Sequence, residues 1–270
     1  MGPASFTGGP TRGDYMVDRA DTHRSYERGV DTESARVSLK LLGGFDIVAG
    51  GRPVRLPLSA QRVLVALALH PGTQDRTVLA ARLYPDARRR QVQGSLRSAL
   101  WRAKGECGLD LVESQGQRLG LAAGVEVDIR SLARRVRSLE TCPSDEPMET
   151  SSDDVVDALS QELMPTWDDD WLVLERERWR QLRLHALELM ASRLVASGRH
   201  TEAVQAGLVA VSIEPYRESA HRAVIAAHIA EGNGASALAQ YQRYQRALNR
   251  ELGLRPTPQI QALIQGLADE

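Results

Sequence analysis

The chain has 270 residues, room for two modest domains that each bury a core, and its 42% hydrophobic and 26% charged content is that of an ordinary folded protein. Cys107 and Cys142 are too few for a disulfide framework and lack the spacing of a metal site. No apolar run is long enough to cross a membrane, and residues 1–35 lack the apolar centre of a signal peptide, so the expected compartment is the cytoplasm. The net charge of −1 conceals a polarised chain: eight basic residues against Asp86 alone between Arg76 and Lys104, then twelve acids and no Lys or Arg between Glu140 and Glu175. Such polarity points to two different kinds of surface. Lys40 and Lys104 are the only lysines, an arginine bias that reflects high-GC coding, as in actinobacteria, before it reflects function.

Residues 1–35 are polar, glycine-bearing and aperiodic, which predicts a disordered tail, with Met16 as an alternative start. "VSLKLLGGFDIVAGGRPVRLPL", from Val37, reads as short strands separated by glycine turns. Three helical segments follow. Ser59 is the expected N-cap of "AQRVLVALALHP", in which Val63, Leu64 and Leu67 form one stripe. "RTVLAARLYP" is shorter and closed by Pro85, and the third helix spans "RRRQVQGSLRSALWRAKG" with Gly105 as its stop. "LVESQGQRLGLAAGVEVD" alternates, turns at Gln115-Gly116-Gln117 and alternates again, a β-hairpin. Sheet, three helices and hairpin make a winged helix-turn-helix with an extra N-terminal β-sheet.

In the third helix Val92, Leu96, Ala99, Leu100 and Ala103 mark the buried face, and the step of about 100° per residue sets Arg90, Gly94, Arg97, Ser98 and Trp101 opposite. Gly94 weakens a helix by about 1 kcal/mol relative to alanine but permits close backbone approach. Arg97 has the reach and the fork to read guanine O6 and N7. Arg88, Arg89 and Arg90 at the helix start suit phosphate oxygens. A solvated arginine face explains the helix taken alone. The tight "YPDA" turn before it and the hairpin after it, from which Arg118 projects, favour DNA. Trp101 either stacks on the sugar-phosphate edge or packs inside the protein, and packing is the expectation.

Asp128 is a natural N-cap, and beyond it the chain is helical, interrupted by an acidic linker at 140–153. Helices are expected at about 153–163, 170–197, 200–213, 217–231, 234–252 and 257–268. Ala196, Gly198 and Ala203 recur as Ala230, Gly232 and Ala237, each 34 positions on, which is the tetratricopeptide period. The fold class is therefore mainly α with small β, a winged helix-turn-helix followed by an all-α tetratricopeptide-like domain.

The blocks "ELMPTWDDDWLVLERERWRQLRLHALELMASRLVASGRHTEAV" and "ELGLRPTPQIQAL", behind an OmpR-type winged helix, resemble the Streptomyces antibiotic regulatory proteins. The second half is similar to their bacterial transcriptional activation domain. The resemblance implies a winged-helix DNA-binding domain at 36–127 and an activation domain at 128–270, without an attached ATPase module. It implies a pathway-specific activator of antibiotic biosynthesis that binds direct repeats in double-stranded promoter DNA as side-by-side protomers. It further implies recruitment of RNA polymerase holoenzyme by contact with the principal sigma factor. Carried over residue by residue, DNA contacts fall on Arg90, Gln93, Arg97 and Ser98 in the third helix and on Arg118 in the wing. Arg88, Arg89 and Gly94 join that set from the helix reading alone.

"WDDDW" at 167–171 has no second carboxylate cluster to complete a metal site, and Asp170 reads as an N-cap whose charge faces the helix dipole. His221 and His228 share a helix face, which is more often core or surface than ligand. No catalytic or nucleotide-binding motif occurs, so neither enzymatic activity nor a cofactor is expected. Two other readings stand beside the activator: a tetratricopeptide-type interaction scaffold, and a repressor whose helical domain holds an effector.

Overall fold

The computed structural model describes residues 37–87, 89–108, 110–141 and 152–267; the tail at 1–35 and most of the acidic linker lie outside these. The expected class is present, a small β-containing N-terminal half and an all-helical remainder. Strands β1 (Val37–Lys40), β2 (Asp46–Ala49) and β3 (Arg52–Pro53) form an antiparallel meander. Its far edge is taken by β7 (Val125–Val127), parallel to β1 with Leu39 beside Val127. The hairpin reading ran through this strand; the hairpin instead ends at Leu121. A turn closed by Val125 N–H donating to the Ala122 carbonyl at 3.0 Å redirects the chain to the N-terminal sheet.

Helix α1 (Leu58–Leu69) starts one residue before the expected cap. Pro57 occupies the N-cap position, its carbonyl accepting from Ala60 and Gln61 N–H, while the Ser59 hydroxyl is buried without a hydrogen-bond partner among the described residues. The single stripe expected on α1 is in fact two faces. Val63 and Leu67 pack into one hydrophobic cluster and Leu64, Val65 and Ala68 into another, so the helix is apolar nearly all round because it stands between two cores.

Helix α2 (Arg76–Leu83) is capped by Asp75, whose Oδ1 accepts from Thr77 and Val78 N–H at 2.8 and 3.2 Å. Helix α3 (Arg89–Cys107) passes through Gly105 and stops at Gly108, where a φ of 62° suits glycine and the N–H bonds the Lys104 carbonyl at 3.1 Å. Strands β5 (Val112–Gln115) and β6 (Arg118–Leu121) make the wing around a two-residue Gly116-Gln117 loop. A positive φ of 61° at Gly116 alone is the pattern of a II′ hairpin turn. The two-residue β4 (Gln74–Asp75) completes this three-stranded sheet.

Helix α4 (Asp128–Thr141) follows β7 directly. Asp128 is its first residue rather than its cap, and Oδ2 accepts from Leu41 and Leu42 N–H at 2.9 and 3.0 Å, fastening the helix to the end of β1. Then come α5 (Ser152–Ser160), α6 (Asp170–Ala196), α7 (His200–Ile213), α8 (Glu218–Ala230), α9 (Gly234–Leu252) and α10 (Pro258–Gln265).

The repeat seen in the sequence is a repeat of joint geometry. Gly198 and Gly232 adopt φ of 74° and 78°. Arg199 N–H reaches the Leu194 carbonyl at 2.8 Å, as Asn233 N–H reaches that of His228 at 2.8 Å. Ala203 and Ala237 are both fully buried one turn into the following helix. Between them Gly207 lets α7 close on α8: a Cβ there would lie 2.7 Å from Val224 Cγ2.

Candidate nucleic-acid interface

Leu79, Ala80 and Leu83 of α2 and Val92, Leu96 and Ala99 of α3 bury against Val63 and Leu67 of α1 and Leu119 of the wing. With Ala103 also buried and Leu100 half-buried, the inner face of α3 is the one the periodicity marks. Its outer face carries Gly94, Arg97, Ser98, Trp101 and Arg102, all exposed, with Gln93 half-buried at its edge. A Cβ on Gly94 would meet nothing within 4 Å, so no packing inside the protein demands glycine there. Arg89 and Arg90 lie on the first turn of α3 without described side chains, and Arg88 lies outside the described residues.

Trp101 overturns its expectation. It is 75% exposed and, with Arg97, lines a groove of about 280 Å³ between α3 and the wing. The helical step sets it opposite the buried stripe; the expectation of packing rests on residue type, tryptophan being usually well buried. Two positions along from the buried Ala99, it keeps the outer face that the helical step assigns it.

Arg118 is exposed but not free to swing. Its Nε donates to Thr73 Oγ1 at 2.7 Å and its Nη2 to the Thr73 carbonyl at 2.6 Å. Arg76 N–H bonds the Gln117 carbonyl at 2.8 Å, so wing tip and α2 start are fixed to each other. The interface thus offers a flat α3 surface flanked by a braced wing, both arginine-bearing.

Arg82, counted with the basic run, points elsewhere. Nη2 donates to Glu175 at 3.0 Å, Nη1 lies 3.2 and 3.3 Å from the His70 ring nitrogens, and the guanidinium stacks 5.0 Å over the Trp171 ring. Burial, then the Arg82 charge, holds the His70 imidazole below its ordinary value. Arg62 pairs with Asp169 at 3.2 Å, and Trp171 Nε1 donates to the same carboxylate at 3.3 Å. Of the "WDDDW" acids, Asp169 therefore serves this seam. Asp169 rather than Asp170 holds the N-cap position of α6, with no side-chain cap bond. The described residues contain no group of His, Cys, Asp or Glu arranged to hold a metal.

Behind the seam, α6 grips the loop that precedes it. Arg176 donates to the carbonyls of Leu163, Met164 and Trp167, Trp179 Nε1 to that of Gln161 at 2.9 Å, and Arg183 to that of Ser160 at 3.1 Å. Their spacing along the helix is the signal that could have shown this: positions 176, 179 and 183 share one face.

The chain is thus a winged helix-turn-helix carried on stacked helix pairs. The family model described as bacterial transcriptional activator domain matches residues 127–267, more than half of the chain. Mycobacterium tuberculosis EmbR, in a structure with a low affinity phosphopeptide, is similar in fold, with a TM-score of 0.68 and 18% identity over 87% of this chain. The chain spans 65% of that EmbR chain's length. A search of curated proteins gave no match. The protein belongs to the bacterial transcriptional activator domain family. Among the described residues no helix is long and apolar enough to cross a membrane.

Proposed function

We propose that the protein is a sequence-specific activator of a secondary-metabolite biosynthetic gene cluster, acting in the cytoplasm on the nucleoid and without catalysis or a cofactor. It binds direct repeats near the minus-thirty-five element as two protomers side by side and recruits RNA polymerase holoenzyme, including its principal sigma factor. The winged helix, residues 36–127, supplies the DNA-binding domain and residues 128–270 the activating one. The observation that carries this reading is the exposed Gly94, Arg97, Ser98 and Trp101 face beside the wing, in a chain of an activator family. Arg97 reads a base edge, Gln93 and Ser98 flank it, and Arg88, Arg89, Arg90 and Arg118 hold phosphates.

The test is a gel shift on the promoter of a neighbouring biosynthetic gene, followed by transcription with purified holoenzyme. Arg97→Ala should cost about 1–3 kcal/mol on the specific site and far less on random DNA. Arg118→Ala should weaken both alike and reduce the salt slope by about one. Absence of a specific shift at low salt would favour the interaction scaffold. A specific shift with falling transcript yield would favour the repressor.

A further inference from the structure

The C-terminal end of α1, the outer face of α4 and the first half of α6 enclose a cleft of about 560 Å³. None of its lining residues belongs to α2, α3 or the wing hairpin. Its apolar floor includes Ile129, Trp179 and Leu182, with Trp179 buried. Its walls carry four guanidinium groups, from Arg130, Arg134, Arg137 and Arg178. Three of these are successive turns of one α4 stripe, set well away from the face on which Leu132 and Val136 are buried.

Four cations converge on this cleft with Glu175 as its one acid, and that carboxylate is already shared between Arg178 at 3.1 Å and Arg82 at 3.0 Å. Arg130 is pinned by backbone carbonyls rather than by an anion. Nε donates to Ala68 at 2.7 Å and Nη2 to Leu67 and His70 at 2.9 and 2.6 Å, leaving Nη1 without a hydrogen-bond partner among the described residues. Arg134 donates only to the Ser131 hydroxyl at 3.0 Å, and the Arg137 guanidinium has no partner among the described residues. Like charges gathered without counter-ions are costly, and a bound anion removes the cost. Burial, followed by the neighbouring Arg134 charge, depresses the Arg130 guanidinium, in keeping with a site short of negative charge.

We propose that this cleft binds a small amphipathic anion, a carboxylate, sulfonate or phosphate ester on an apolar body, at the seam between α1 and the α4–α6 pair. The volume lies in the range of small-ligand pockets, and an aromatic floor beside a fixed guanidinium fork matches both halves of such a molecule. An occupant touches α1 on one side and α4 and α6 on the other, so it stabilises their docking by mass action.

The probe is anilinonaphthalene sulfonate, titrated by fluorescence into the full chain, with neutral phenylnaphthylamine as its uncharged counterpart. The Arg134→Gln/Arg137→Gln double variant changes only exposed side chains, and circular dichroism and melting temperature check that the fold is kept. Saturable one-to-one binding of the sulfonate should weaken about ten-fold or more in that variant, while binding of the neutral probe changes less than about two-fold. Equal sulfonate affinity in the two proteins, or no saturable binding, overturns the proposal. So does displacement of the sulfonate by a random DNA duplex together with a shallower DNA salt slope in the variant, which would make the cleft a phosphate-backbone contact.

Discussion

Glu175 is buried to 7% exposure, yet its carboxylate accepts from two arginines, which makes it the sharpest test of the seam. At contact distance in an effective dielectric near 20 a unit pair attracts by about 4 kcal/mol before desolvation is counted. Removing one partner of a buried pair costs about 3–5 kcal/mol. Glu175→Gln should fall short of that, at about 2–3 kcal/mol, because Arg82 retains some solvent and its contacts with His70 and Trp171. Arg178 adds little, since its side chain is 62% exposed and such pairs contribute about 0–1 kcal/mol. Arg82→Met should cost a similar amount, by leaving the carboxylate to Arg178 alone. The double variant removes both charges, so it should cost less than the sum, with a coupling of about 2 kcal/mol. Urea unfolding of the four proteins, followed by far-ultraviolet circular dichroism, measures it. A coupling under about 0.5 kcal/mol, the size of an exposed pair, would refute the seam as a buried electrostatic lock. A second readout is independent: Arg82→Met should leave the salt slope of DNA binding unchanged, because that guanidinium faces Glu175 rather than a phosphate.

Gly207→Ala should destabilise by about 1–3 kcal/mol, since its Cβ enters the space of Val224, and Gly207→Ala/Val224→Ala should recover part of the lost melting temperature. His221 is buried, Nε2 lying 2.9 Å from the Pro215 carbonyl and Nδ1 3.0 Å from Gln240 Nε2, and burial is the first cause holding it below its ordinary 6.5. The unfolded chain then binds more protons, so stability is complete above about pH 6.5 and declines as pH falls from there towards the lowered value. His221→Gln should flatten that decline in the urea midpoint; an unchanged slope would locate the titration elsewhere, with His70 the next group to test. Trp101→Ala should leave the melting temperature nearly unchanged and weaken promoter binding, and a large stability loss would return Trp101 to a packing role.

What the sequence shows and hides follows from the range of the interactions involved. The α3 stripe of Val92, Leu96, Ala99 and Ala103 was legible because one helix buries one face at a fixed period. The Gly198 and Gly232 joints were legible because a left-handed C-terminal turn needs glycine locally. Helix α1 misled because a helix between two cores has no polar side to set its phase. Strand β7 misled because its partner β1 lies far away in sequence, and an alternating run does not say which edge it joins. Arg82, counted only by charge, and Trp101, expected to pack although its period faced outward, show the same thing: residue type fixes what a side chain can do, while its face on the helix fixes whom it meets. Arg82 sits on the face of α2 that meets Trp171, and Trp101 on the face of α3 that meets solvent.

The two surfaces differ in how they are tied to the fold. Gly94, Arg97 and Ser98 are exposed and nothing packs over Gly94, so exchanging them costs the core little. The seam is the opposite. The loop gripped by Arg176, Trp179 and Arg183 extends into backbone pairing with the N-terminal sheet, Gly43 N–H donating to the Glu162 carbonyl at 2.8 Å and Met164 N–H to that of Leu41 at 3.0 Å. Leu41 follows β1, Val37 and Leu39 of β1 pack in one cluster with Leu64 and Val65 of α1, and α1 backs α3 through Val63 and Leu67. Each step in that series is a packed or hydrogen-bonded contact rather than a tether. The helical half and α3 are therefore joined by continuous packing and hydrogen bonding.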